Sequence, residues 1–149
     1  MQPFAKGLNS KFLVKLRDLC KAFFPGARFI KRKRIGFDKI QVDSVEHEGL
    51  TGYNISEAVH KLKKVTPLDN FGIVGVTMEH LWYDDQERYI SGLANLLNRR
   101  GIFTFSRCDP AFYEVHEDNN EEVMLHRAAK VLIHELGHMF GMRHCIYYE

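Results

Sequence analysis

Long apolar runs, paired cysteines and an excess of charge of one sign are all missing from this sequence, and each absence excludes something. No stretch approaches the ~18 consecutive apolar residues of a membrane span, and the N-terminus carries no apolar core of signal-peptide type. The chain therefore reads as soluble and unsecreted, with no membrane partner. Its three cysteines, Cys20, Cys108 and Cys145, are odd in number and widely spaced, unlike the disulfide framework of a small secreted domain. The expected location is a reducing, intracellular compartment, cytoplasmic or nuclear. With 21 basic against 19 acidic residues the net charge is +2, so total charge requires neither nucleic acid nor an anionic surface as partner.

What is present suits one domain. The 149 residues, 45% of them hydrophobic, are enough for a single core and too few for two ordinary ones. Residues 1–28 are basic and amphipathic, with Asp18 as their one acid, a pattern that a mitochondrial targeting segment shares. The reading taken is a domain helix instead. Asn9 or Ser10 caps it, Phe12, Leu16, Leu19 and Phe23 form its stripe, and Pro25-Gly26 ends it.

The densest chemistry lies near the end, in His134-Glu135-Leu136-Gly137-His138-Met139-Phe140-Gly141-Met142-Arg143-His144, a pattern H-E-x-x-H-x-x-G-x-x-H. On a helix His134 and His138 stand one turn apart on one face, where two imidazoles reach one cation. Gly141 can take the left-handed conformation that ends a helix and returns the chain, bringing His144 as third ligand. Three neutral nitrogen donors with an open fourth position describe a catalytic Zn²⁺ site, at Zn–N distances of ~2.0–2.1 Å. Glu135, beside the first ligand, is placed as general base for a water activated at the metal.

The rest of the chain reads as scaffold. Residues 27–35 have strand length and contain the basic run Lys31 to Arg34, followed by a polar loop through Tyr53. A short helix over 56–65 turns Ala58, Val59, Leu62 and Val65 inward and leaves His60 at the surface. The apolar run 71–78 reads as a central strand covered on both faces. His80, Asp84, Asp85 and Glu87, with Trp82, follow in a polar loop; a second metal site is one reading of them and a solvated connection the preferred one. Segments 89–94 and 102–107 read as strands. Asn119 and Glu122 resemble a capping box for a helix of about twenty residues ending near Phe140. Its core stripe is Leu125, Ala128, Leu132, Leu136 and Met139, while Val131, His134 and His138 face elsewhere.

The extended motif resembles that of the metzincin clan of zinc metallopeptidases, and His144-Cys145 is similar to the archaemetzincin family within it. Segments 72–78, 91–94 and 101–107 are also similar to that family's strands before the active-site helix. The resemblance implies an α+β, metzincin-like fold: a twisted mixed sheet over helices, with the long active-site helix near the C-terminus. It also implies an antiparallel edge strand that receives an extended peptide, with 89–94 as the candidate. No strand is evident before the first helix. The implied activity is hydrolysis of peptides, of aminopeptidase type on short substrates. In the family the His-Cys pair leads to a methionine turn and to further cysteines that, with the first, hold a second zinc, which makes Cys145 a ligand of an incomplete second site. Since the sequence stops at Glu149, the expectation is a catalytic domain whose C-terminal subdomain is missing. Two other readings compete: a non-catalytic or inactive zinc-binding domain, because His144 lies close to the terminus, and a nucleic-acid binder using Lys31 to Arg34, which no second basic cluster of that length supports.

Overall fold

The computed structural model describes residues 1–4, 7–47, 49–83, 88–114 and 120–143. Its central strand shows why the rest is arranged as it is. β4 (Ile73–Thr77) is buried at all five positions, and its side chains alternate between two cores. Val74 and Val76 enter one core with α1 (Ser10–Phe23) and α3 (Asn120–Met139), while Ile73 enters another with Phe4, Ile40, Ile55 and Leu81. β8 (Arg100–Thr104) repeats the pattern, with Phe103 on the first side and Ile102 on the second. A strand covered on both faces carries few polar residues, as the run 71–78 predicted.

The main sheet has the order β1-β4-β8-β7, with β1 as Gln2–Pro3 and β7 as Gly92–Asn95. β1, β4 and β8 are parallel and β7 runs antiparallel along β8 as an edge. The opening strand that the sequence did not disclose is thus real; it is two residues long, and Pro3 lies where an edge tolerates proline. The candidate edge 89–94 divides: Gly92 starts β7, whereas Tyr89 belongs to β6 (Arg88–Tyr89). Phe103 lies over Gly92 so closely that a Cβ there would come within 2.0 Å of its ring.

A second mixed sheet, order β2-β3-β5-β6, was not anticipated. The expected polar loop through Tyr53 forms a 3-10 turn over Phe37–Ile40 and the hairpin β2 (Ser44–His47) to β3 (Leu50–Asn54), turned at Gly49 with φ 74°. The expected loop at His80 is β5 (His80–Tyr83), parallel to β3. α2 (Ile55–Lys61), capped by Asn54, follows as predicted and continues as a 3-10 turn to Val65.

The strand expected at 27–35 does not form. Its backbone is partnered by the N-terminus: the Arg32 N–H donates to the Met1 carbonyl at 2.9 Å and the Ile35 N–H to that of Pro3 at 3.2 Å. The basic run ties elements together, with Lys31 Nζ donating to Ser10 Oγ at 2.8 Å, Arg32 to the Val65 carbonyl and Arg34 to the Leu8 carbonyl. In α1 the buried face passes through Phe12, Leu13, Leu16 and Cys20, and the stripe expected through Leu19 and Phe23 is turned outward, because Leu13 and Cys20 meet the core first. Among the described residues no helix is long and apolar enough to cross a membrane.

Leu132 is fully buried between α3 and the sheet, and Leu97 is 91% exposed. Leu132→Ala should lower unfolding stability in urea by about 2–5 kcal/mol, and Leu97→Ala by no more than about 0.5 kcal/mol.

Candidate metal centre

α3 buries Ala128, Ala129, Leu132, Leu136 and Met139 against the sheet, a spacing of three and four that leaves other faces free. Leu125, expected in this stripe, is half-buried at its margin. Glu121 and Glu122 occupy the first turn, where carboxylates suit the helix dipole. His134 is exposed and Glu135 and His138 are half-buried, off the core face.

The two imidazoles meet. Their ring centroids lie 4.7 Å apart with planes at 87°, and His134 Nε2 stands 3.1 Å from His138 Nε2. Two nitrogens bound to one tetrahedral zinc lie about 3.3 Å apart, so the rings are close to the spacing that a shared cation imposes. His138 Nδ1 lies 2.8 Å from the Met142 carbonyl oxygen. A carbonyl only accepts, so Nδ1 carries the proton and a neutral His138 presents its lone pair at Nε2. The donor set and its tautomer therefore fit a borderline-soft divalent cation such as Zn²⁺.

The helix end that sets this geometry is built by Gly141, at φ 93°. The Gly141 N–H donates to the His138 carbonyl and the Met142 N–H to that of Gly137, each at 2.9 Å, which is a Schellman closure with Gly141 in the left-handed position. Met142 then folds back on Gly137, where an added Cβ would lie 2.7 Å from Met142 Cε. The same helix end is held to the body of the protein by Phe140, whose ring lies 5.0 Å from Phe71 and 4.9 Å from Phe24. Gly137, Phe140 and the Met142 carbonyl escaped the sequence reading. A main-chain oxygen has no residue type to betray it, and Gly137 shows its purpose only once the chain has doubled back.

The third proposed ligand His144, Cys145 and the cap Asn119 lie outside the described residues, as do Asp84, Asp85 and Glu87. Among the described residues no group of three or more His, Cys, Asp or Glu side chains could hold a metal ion. His80 is placed among rings, 5.7 Å from Trp82 and 5.8 Å from Phe112, with a buried Nδ1 that has no partner among the described residues. Burial first, and the Arg107 charge second, push its pKa below the ordinary histidine value.

Comparison with known proteins adds three results. The profile of a family described as Peptidase family M54 matches residues 21–147. Archaemetzincin-2 of Mus musculus is 29% identical over an alignment 163 positions long that covers 93% of this chain and 45% of that protein; archaemetzincin of Methanocaldococcus jannaschii is 36% identical over 73 positions, covering 49% of this chain and 39% of that protein. The crystal structure of a zinc-dependent peptidase from Methanocorpusculum labreanum superposes with a TM-score of 0.69 at 19% identity, covering 98% of this chain and 83% of that one. The likeness shows the fold: α+β, with mixed sheets packed on helices. The chain spans about half the length of the curated relatives first matched.

Among the described residues nothing lies within 4 Å of a Cβ built at Gly141, so the cost of Gly141→Ala is that of the left-handed backbone and should be about 1–2 kcal/mol in urea unfolding. For His80 the folded-state pKa is depressed, so its contribution is present above the ordinary value of 6.5 and lost as pH falls through the lowered one. The stability of the protein relative to a His80→Phe variant should decline on acidification in that window.

Proposed function

Because the chain belongs to Peptidase family M54, we propose that it is a zinc-dependent peptide hydrolase, aminopeptidase-type on short peptides, with His134, His138 and His144 as ligands of one catalytic Zn²⁺ and Glu135 as general base. The observation that carries this reading is the convergence of the His134 and His138 Nε2 atoms at 3.1 Å, on a helix locked to the core. When bound, Zn²⁺ supplies Lewis-acid polarisation of the scissile carbonyl and lowers the pKa of water to about 7.

The protein's own groups do the rest. The Met142 carbonyl holds His138 Nδ1–H and so keeps Nε2 aimed at the cation. Glu135, next in sequence to His134, takes the proton of the attacking water and returns it to the departing amine. The rigidity of α3, with Leu132 and Leu136 buried below the histidines, keeps these groups in register without rearrangement at each turnover. Cys145 is proposed as one ligand of a second, structural zinc.

Zinc content and peptide hydrolysis test the assignment together. Glu135→Ala should retain zinc and lose about 10²–10⁴-fold in hydrolysis of short peptides, whereas His138→Ala should lose zinc itself. Undiminished turnover in Glu135→Ala would overturn the role of Glu135. Stoichiometric zinc with no hydrolysis of any peptide by the unaltered chain would assign it instead as a non-catalytic zinc-binding domain.

A further inference from the structure

Outside the histidine site, two arginines come together at one surface pocket. Arg107, in the 3-10 turn Ser106–Cys108 that follows β8, and Arg127 on α3 line the same surface pocket with Pro110 and Tyr113, about 470 Å³ in volume. Among the described residues no hydrogen bond or ion pair joins either arginine to a neighbour, and no carboxylate lines the pocket. Two cationic side chains that line one space repel each other unless an anion lies between them.

Arg107 is held in place. Its guanidinium carbon stands 3.8 Å from the centroid of the Tyr89 ring and 5.4 Å from that of Phe112, a cation–π seat that fixes the group without neutralising it. Its Nε is buried and has no partner among the described residues, so the terminal nitrogens are the ones that remain for the pocket. The side chain is thus ordered before any ligand arrives, which lowers the entropic cost of binding one. Arg127 is exposed and supplies the second, movable charge.

The position of the pocket says what the anion belongs to. Arg127 precedes His134 by seven residues, which returns it to the same side of α3 within about 20°. It lies about 10 Å from His134 along the axis. Edge strand β7 packs beside α3 and has an unpaired outer side. Its Gly92 end pairs with Phe103, just before the turn that carries Arg107, and Tyr89 beneath the guanidinium precedes that end. An extended peptide added to β7 and crossing the two histidines would therefore reach the arginines about three residues from the bond being cut, at ~3.3 Å per residue.

We propose that Arg107 and Arg127 form a carboxylate-binding subsite that selects peptides bearing an acidic side chain or a free C-terminus about three residues from the scissile bond. Its placement rests on the peptide-hydrolase reading, but its existence as a carboxylate site does not. The zinc-loaded chain is tested with short fluorogenic peptides that differ only in glutamate against glutamine at that distance, each made as free acid and as C-terminal amide. The carboxylate-bearing member should show a KM lower by about tenfold or more, with kcat little changed, and the preference should collapse towards unity in Arg127→Gln and Arg107→Gln. Comparison of acid with amide tells the terminal carboxylate from the side chain. Arg107→Gln disturbs a packed ring cluster, so Arg127→Gln, at an exposed helix position, is the decisive variant. Equal KM values for all peptides in the unaltered protein, or a preference that survives Arg127→Gln, would overturn the subsite. If no peptide is hydrolysed, fluorescence anisotropy of the same labelled peptides reads the site alone: tighter binding of the acidic member, lost in Arg127→Gln and weakened by salt, supports the subsite while the hydrolase reading fails, and equal binding overturns it.

Discussion

A helix of twenty residues has one side to bury, and the protein depends on which side of α3 that is. Ala128, Leu132, Leu136 and Met139 face the sheet, and a period of 3.6 residues then leaves no choice about where His134 and His138 point. Core and site are two faces of the same rod. A substitution that loosens the first misplaces the second, even without touching a histidine.

The sheet below meets this demand by carrying residues of the right size on both sides. Val74, Val76, Phe103 and Phe105 receive α1 and α3, while Ile73 and Ile102 receive α2 and its surroundings. Close approach requires glycine at a few points. Gly72 is one: a Cβ there would lie 2.5 Å from the Arg99 carbonyl and 2.9 Å from Met139 Cε, so its smallness lets the end of α3 settle on the strand. Phe140 then stacks on Phe71, whose ring in turn lies 4.1 Å from the Arg99 guanidinium carbon. The turn at Gly141 starts from a helix end that cannot drift.

Much of this was legible in the chain, for reasons that particular residues make plain. Asn9 and Asn54 cap helices by contacts three residues away, at 2.7 and 2.9 Å, so α1 and α2 could be read from their own neighbourhoods. The run around Val74 marked a strand covered twice. By contrast, 27–35 has strand composition yet forms none, because its partners are Met1 and Pro3, remote in sequence. The segment of β5 reads as a loop because His80 stands close to Asp84, Asp85 and Glu87 in the chain, although Leu81 and Trp82 are buried in a strand that pairs with β3. Register along the chain says nothing about which distant strand is available.

The sequence by itself determined the pair His134 and His138 on one face of a helix and the stop at Gly141, because each rests on spacing within a single turn or two, and the resemblance to one peptidase family, because that motif and the strand segments before it are read directly from residue order. Only the tertiary structure decided that the Met142 carbonyl sets the tautomer of His138, that β7 rather than 89–94 is the edge, and that Arg107 and Arg127 share a pocket. Those outcomes depend on contacts between segments whose separation along the chain carries no periodic signal. They exist only after the two cores have closed around the sheet.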